Sequence, residues 1–130
     1  MSYRAHGIPL SFELDTDTVT EKKVGQLVAL KADGSYTTEM DDTAAFALPL
    51  IEDVDEDAGS VAVTVSGVAK VFVETAAGIV AGSEVGIGAN GLGVAAYESG
   101  YLLGVALAEP KGDGDSIPVL LTPKAAEVAY

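Results

Sequence analysis

With 130 residues, 48% of them hydrophobic, the chain is long enough for one domain with a core and is expected to fold. Twenty Asp and Glu against seven Lys and Arg give a formal net charge of −13, which argues against nucleic acid and anionic membranes as partners because both are bound through clustered Lys and Arg. The absence of Cys excludes disulfides, thiolate metal ligands and a Cys nucleophile, and no apolar run reaches the roughly 20 residues that span a bilayer.

Short apolar segments separated by Gly, Asp, Ser and Pro predict an all-β fold, either a small barrel or a sandwich. Val61, Val63 and Val65 alternate with smaller or polar residues, which is typical of a strand with one buried face. One short helical turn is expected at Thr75–Ala81. The predicted strands are Ile8–Leu14, Val24–Lys31, Tyr36–Glu39, Ala45–Ile51, Ser60–Val65, Val68–Glu74, Glu84–Ile87, Gly93–Tyr97, Leu102–Leu107 and Ile117–Thr122.

Residues 1–23 are predicted to be an N-terminal arm or a first strand, because Pro9 favours extended backbone at Ile8. Such a segment either reaches a neighbouring molecule or pairs within its own fold, and the sequence leaves both open. If it reaches a neighbour, its anchors are expected to be Tyr3, Ile8, Leu10 and Phe12, since aromatic and aliphatic side chains on an extended strand suit β-augmentation.

An internal repeat divides the rest of the chain. Phe46–Ser66 aligns without gaps on Leu102–Thr122, with an apolar strand, an acidic turn and a Ser that opens a second strand in both. Upstream, Val24-Gly25 and Asp33-Gly34 are matched with Val85-Gly86 and Asn90-Gly91, whereas the N-terminal segment has no match. The sequence therefore predicts one β-domain over 24–122, with related units at 24–66 and 85–122, and a tail at 123–130.

Gly86, Gly88 and Gly91 satisfy the dinucleotide-binding pattern G-x-G-x-x-G. That site needs a helix directly after the glycines, whereas here two more glycines and Val94 follow. Asn90-Gly91 between apolar residues is instead typical of a β-hairpin turn. The pattern therefore predicts a hairpin and no cofactor site.

Asp53, Asp55 and Asp57 occupy positions one, three and five of a calcium-binding loop. The loop pattern also requires Gly one residue before Gly59 and a Glu where Thr64 stands, and both are missing. We therefore expect a solvated acidic turn, with weak divalent-cation binding by the three Asp as the alternative.

No catalytic constellation is visible. His6 is the only histidine and has no nucleophile motif near it. Paired carboxylates remain possible among twenty acids, but nothing places two of them in one apolar pocket. The sequence predicts that the protein is not an enzyme. Its acid excess also suggests a high-salt habitat, where salt screens the repulsion within the chain.

Four elements in fixed order carry a family resemblance. They are Val65-Ser66-Gly67-Val68, Ala81-Gly82-Ser83-Glu84-Val85, Gly104-Val105-Ala106-Leu107 and Val119-Leu120-Leu121. In these the chain resembles small tailed-virus capsid decoration proteins, also called head-stabilising or cement proteins. One such group has carried the label of RecA/RadA-like phage recombinase, which finds no support here because the nucleotide-binding G-x-x-x-x-G-K-[ST] is absent.

The resemblance implies a structural virion protein on the outside of the assembled capsid, bound to the major capsid protein and stabilising capsomer contacts. In that role the N-terminal arm is the expected capsid-facing part, with Tyr3, Ile8, Leu10 and Phe12 as its anchors. It also implies a β-rich homotrimer. The alternative is a carbohydrate- or receptor-binding β-module on a virion or cell surface, and a small carboxylate hydrolase is a third possibility.

Overall fold

The computed structural model describes residues 7–13, 21–39, 46–55, 57, 59–88, 91–96 and 101–125. The named secondary-structure elements in these segments are all β-strands, which confirms the predicted all-β class. In chain order they are β1 (Gly7–Glu13), β2 (Leu27–Leu30), β3 (Tyr36–Thr37), β4 (Ala47–Pro49), β5 (Ser60–Phe72), β6 (Glu84–Ile87), β7 (Gly93–Ala95), β8 (Tyr101–Ala106) and β9 (Ser116–Ala125).

The strands form two antiparallel sheets in a sandwich-like arrangement. The larger sheet has the strand order β1-β5-β9-β8-β6-β7, and the smaller has the order β3-β2-β4. Leu27 and Ala47 of the smaller sheet are buried in the same cluster as Val71 and Val119 of the larger one. Neither sheet closes into a barrel within the described residues, so of the two predicted architectures the sandwich is the closer description.

All ten predicted strands overlap observed ones, but two of them, Ser60–Val65 and Val68–Glu74, are parts of the single strand β5. The predicted gap between these two strands coincides with an irregularity in β5. Along β1, Ile8 pairs with Ser66 and Pro9 with Thr64, so Val65 is an extra, bulged residue. Gly67 beside it has a φ of 90°. At the other end of the chain, β9 continues to Ala125, so the predicted tail boundary at residue 123 lies inside a strand.

The predicted helical turn at Thr75–Ala81 is wrong. Gly78 has a φ of 81°, in the left-handed region, which a right-handed helix cannot contain. The segment forms tight turns instead: the Ile79 N–H donates to the Ala76 carbonyl at 3.3 Å, and the Ala77 N–H donates to Thr75 Oγ1 at 3.2 Å.

The internal repeat is visible in the strand pairing of β4 with β5 and of β8 with β9. Leu50 forms an antiparallel bridge with Val63, and the aligned residues Ala106 and Val119 are paired in the same way. The next hydrogen bond is also repeated, because Ile51 N–H donates to the Ala62 carbonyl and Leu107 N–H donates to the Pro118 carbonyl. The gapless alignment of these two segments is therefore also a structural alignment.

The strands β2 and β3 repeat as β6 and β7, but with a different match from the one predicted. Leu30 pairs with Tyr36 as Ile87 pairs with Gly93. The structural equivalent of Gly25 is Gly82, so the predicted match of Val24-Gly25 with Val85-Gly86 is wrong. Gly25 N–H donates to the Leu50 carbonyl at 3.1 Å, and Gly82 N–H donates to the Ala106 carbonyl at 2.7 Å.

The N-terminal segment also takes part in the repeat, contrary to the prediction. Phe12 pairs with Val61 and Glu13 with Ser60. On the second half of β5, Val71 pairs with Ile117 and Phe72 with Ser116, which are the aligned partners. The strand β1 is therefore the equivalent of the second half of β5. We call β1–β4 with Ser60–Ser66 unit one, and Gly67–Phe72 with β6–β9 unit two.

In each unit the two strands at opposite ends of the strand order lie close together: β1 and β3 in unit one, and the end of β5 and β7 in unit two. In unit one the rings of Phe12 on β1 and Tyr36 on β3 lie with centroids 4.7 Å apart. In unit two Val73, just after β5, forms an isolated parallel bridge with Gly93 of β7. The core of unit one consists of Val28, Tyr36, Leu48, Leu50, Val54, Val61 and Val63, with Phe12 and Val65 packed against it.

Candidate binding surface

The outward face of the larger sheet carries one row of residues across four neighbouring strands. Val68 of β5 lies opposite Leu120 of β9, Leu120 lies opposite Val105 of β8, and Val105 lies opposite Glu84 of β6. Leu120 is 41% exposed, and Val68 and Val105 are half-buried. The row places three apolar side chains side by side on a surface facing solvent.

A second row extends this face. Lys70 lies opposite Pro118, whose carbonyl accepts the N–H of Leu107 at 2.9 Å. Leu107 is 41% exposed. Lys70 folds over the ring of Phe72, with Nζ 5.0 Å from the ring centroid, which is the geometry of a cation–π contact. We call Val68, Val105, Leu107, Pro118 and Leu120 the outer face.

The predicted arm residues are distributed differently. Tyr3 lies outside the described residues, and Ile8 is a strand residue paired with Ser66. Leu10 is 49% exposed, whereas Phe12 is half-buried against the core of unit one. Since Gly7–Glu13 pairs along its length with β5, the described part of the arm is a strand of its own fold. Its role in partner binding stays a prediction.

The acidic turn at Asp53–Asp57 is organised by backbone hydrogen bonds. Asp53 Oδ1 accepts the Val24 N–H at 2.9 Å, and Asp53 Oδ2 lies 3.6 Å from Lys23 Nζ. Asp55 Oδ1 accepts the N–H of Asp57 at 3.0 Å. Among the described residues no three Asp, Glu or His side chains converge into a metal-binding group. The described geometry assigns Asp53 and Asp55 to turn formation.

The aligned turn of unit two, residues 111–116, is fastened to the end of β5. Asp113 Oδ1 accepts the Ala76 N–H at 2.8 Å, and Gly114 N–H donates to the Val73 carbonyl at 3.0 Å. The Lys111 N–H donates to Asp115 Oδ2 at 2.9 Å. This bond, together with one from the Ser116 backbone, lowers the pKa of Asp115 because both stabilise the charged carboxylate.

The glycine-rich segment forms the predicted hairpin. Val85 pairs with Ala95 and Ile87 with Gly93, so the glycines connect two antiparallel strands. Gly88 is needed for close packing, because a Cβ there would lie 2.6 Å from Val94 Cγ1. Asn90 lies outside the described residues, as does His6.

Sequence reasoning missed the outer face, although one indication was present. Residues 117–121 read Ile-Pro-Val-Leu-Leu, an uninterrupted apolar run where a strand with one solvated face should alternate. Ile117 and Val119 point into the core, so Pro118 and Leu120 are apolar on the opposite face.

No helix in the described part of the chain is long and apolar enough to cross a membrane.

Comparison with known protein families, with curated proteins and with solved structures finds no match for this chain.

Proposed function

We propose that this chain is a capsid decoration protein of a tailed virus, binding the outside of the assembled capsid through the outer face. The observation that carries the proposal is the row Val68–Leu120–Val105–Glu84. Each of these residues comes from a different one of the four sequence elements that resemble decoration proteins. Elements scattered along the sequence thus contribute adjacent residues to one exposed surface.

The chemistry of the outer face supports binding to a protein. The chain carries a net charge of −13, yet the outer face itself is apolar, and only Glu84 and Lys70 border it along the two rows. Apolar residues gathered on an otherwise charged surface are typical of protein–protein contact sites. The charge elsewhere suits an exterior position that does not touch the packaged nucleic acid.

In this proposal the outer face makes the main contact with the capsid, and the predicted arm residues contribute less to that contact. Phe12 packs in the core of unit one, so its ring supports the fold. Leu10 is the arm residue whose side chain is described as exposed, and it lies at the sheet edge. The homotrimer implied by the resemblance belongs to the same proposal and is measured by sedimentation equilibrium.

The test is co-sedimentation with empty capsids assembled from the major capsid protein that the same genome encodes. We expect wild-type protein to pellet with capsids, and the double variant Leu107→Glu, Leu120→Glu to bind at least about tenfold more weakly. Ile51→Glu is the matched control, because Ile51 is the unit-one equivalent of Leu107 and is 43% exposed. Ile51→Glu should bind within about twofold of wild type.

Two results would overturn the proposal. One is a wild-type protein that stays in the supernatant even at the highest capsid concentration used. The other is an equal loss of binding in the Ile51 control and in the outer-face variant. Thermal melts of all three proteins identify a loss that comes from unfolding.

A further inference from the structure

The two units of the chain are joined by a docking contact, and the segment Lys22–Leu27 of unit one makes it. The Phe72 N–H at the end of β5 donates to the Gly25 carbonyl at 2.9 Å. Gly25 lies against the Phe72 ring so closely that a Cβ would be 3.0 Å from Phe72 Cδ2. Unit one thus supplies a turn to the edge of unit two, in which the Gln26 N–H donates to the Lys23 carbonyl at 3.0 Å and Gly25 has a φ of 93°.

The same segment also covers the hairpin turn of unit two. A Cβ on Gly91 would lie 2.9 Å from the Leu27 carbonyl oxygen and 3.4 Å from Lys22 Nζ. Partial burial removes the Lys22 ammonium group from water and lowers its pKa. Leu27 itself is fully buried in the core cluster that unit two provides.

Unit one presents the equivalent docking surface, and no described segment covers it in the same way. The equivalents of Phe72 and Gly91 are Glu13 at the end of β1 and Gly34 in the β2–β3 turn. No other described strand pairs with β1 besides β5, so its outer edge lies at the border of the sheet. A Cβ on Gly34 would meet no atom within 4 Å, in contrast to Gly91. The Phe12–Tyr36 ring contact shows that β1 and β3 lie next to each other.

The charge of this surface indicates its occupant. Glu13 stands where unit two has Phe72, and Asp33 stands where unit two has Asn90. Both acidic replacements favour a basic segment, and the segment that docks on unit two places Lys22 Nζ beside Gly91, the equivalent of Gly34. A second copy of this chain fits poorly, because its equivalent segment has Val80 in place of Lys23 and Glu84 in place of Leu27.

We infer that the outer edge of β1 and the Asp33–Gly34 turn form a docking site for a lysine-bearing turn segment of a partner protein. The partner segment binds as Lys22–Leu27 binds within this chain: a backbone carbonyl accepts the Glu13 N–H, and a glycine allows close approach to the strand. Lysines of the partner lie beside Glu13 and Asp33, and Leu10 at the same edge adds apolar contact. The inference does not depend on the proposed capsid function, because the outer face takes no part in it.

The test uses a synthetic peptide with the sequence EKKVGQLV, which is residues 21–28, titrated into the ¹⁵N-labelled chain to a concentration on the order of 1 mM. We expect saturable amide shifts at Ser11, Glu13 and Gly34, weakening as salt is added. The same peptide with both lysines changed to glutamate should produce shifts at least about fivefold smaller at equal concentration. The double variant Glu13→Lys, Asp33→Asn should lose binding, whereas the control Glu109→Lys should keep it.

Three outcomes of the peptide titration overturn the inference: no shifts at the highest peptide concentration, shifts at Phe72 and Gly91 in place of Glu13 and Gly34, or equal binding of the glutamate peptide. Shifts at Glu13 and Gly82 that depend on protein concentration without peptide would assign the edge to a second copy, and would likewise overturn it. Melting temperatures of the variants show that each is folded.

Discussion

Gly25 and Gly82 hold the same position in the two halves of the fold. Their φ angles are 93° and 91°, and each donates its N–H to the carbonyl of the equivalent strand residue, Leu50 or Ala106. Their surroundings differ, because Gly25 touches Phe72 and Lys70 whereas nothing lies within 4 Å of a Cβ on Gly82. Backbone strain and docking contact can therefore be separated by comparing the same substitution at both sites.

We predict that Gly82→Ala lowers the free energy of unfolding by about 1–2 kcal/mol, the cost of a non-glycine residue in the left-handed region. Gly25→Ala carries the same strain and also pushes its methyl group against the Phe72 ring, so it should cost about 1–2 kcal/mol more. Urea denaturation of both variants measures the difference. Equal losses would show that the contact between the units relaxes without cost.

A second prediction concerns Gly104, where a Cβ would collide with the Leu120 carbonyl oxygen and carbon across the β8–β9 pair. Because the colliding atoms belong to the backbone, no side-chain rotation relieves the contact. Gly104→Ala should lower the free energy of unfolding by at least about 3 kcal/mol, at or above the upper end of the usual range for overpacking. Urea denaturation measures it.

The matched control is Gly112→Ala, because a Cβ on Gly112 meets no atom within 4 Å and its φ lies outside the left-handed region. That variant should stay within about 0.5 kcal/mol of wild type, as surface substitutions usually do. A Gly104→Ala variant as stable as the control would contradict the β8–β9 register at Gly104 and Leu121.

Part of the fold was predictable because it depends on local patterns. Alternating residues such as Val61, Val63 and Val65 indicate a half-buried strand, and Asn90-Gly91 indicates a hairpin whatever the rest of the chain does. The β4–β5 and β8–β9 segments align without gaps because the turns between their strands have equal length. That match required no knowledge of the long-range pairing.

The rest of the repeat was hidden by changes in spacing and in side-chain size. Loops of different length separate the equivalent elements. The structural equivalent of Gly25 is therefore Gly82, whereas the match of sequence patterns placed it at Gly86. On β1, Leu10 and Phe12 correspond to the smaller residues Ala69 and Val71, which conceals the relation. Moreover, β5 serves both units, and no sequence pattern marks a strand that is shared.

The outer face could not be predicted for a related reason. Its row joins residues of β5, β9, β8 and β6, and their adjacency depends on register between strands far apart in sequence. A shift of one residue would turn Leu120 inward and Val119 outward. Apolar runs showed that both faces of β9 are hydrophobic, but only the pairing shows which residues lie together.

A third prediction tests whether β1 is a structural strand. Phe12→Ala removes a half-buried ring that contacts Tyr36, and should lower the free energy of unfolding by about 2 kcal/mol, somewhat less than a fully buried Phe. Leu10→Ala is the control on the same strand, and at 49% exposure it should cost less than about 1 kcal/mol. Equal, negligible effects in thermal and urea melts would indicate an arm that contributes nothing to the fold.

The last prediction concerns pH and Asp115. Backbone N–H groups of Lys111 and Ser116 lower the pKa of this carboxyl group in the folded chain below its value in the unfolded chain. A group with a lowered folded pKa adds stability above its unfolded pKa of about 3.9, and that contribution disappears as pH falls through the folded pKa. The turn that Asp115 holds is fastened to Val73 through the Val73 N–H, which donates to the Asp115 carbonyl at 2.9 Å.

Asp115→Ala should therefore lower the melting temperature at pH 7, and the difference from wild type should shrink as pH falls below about 4. Glu109→Ala, which removes a nearby carboxylate outside these hydrogen bonds, controls for the general loss of negative charge. Melts from pH 7 to pH 3 measure both variants against wild type. A difference between Asp115→Ala and wild type that grows toward low pH would contradict the assigned direction of the pKa shift, because protonation of Asp115 weakens the acceptor that holds the Lys111 N–H.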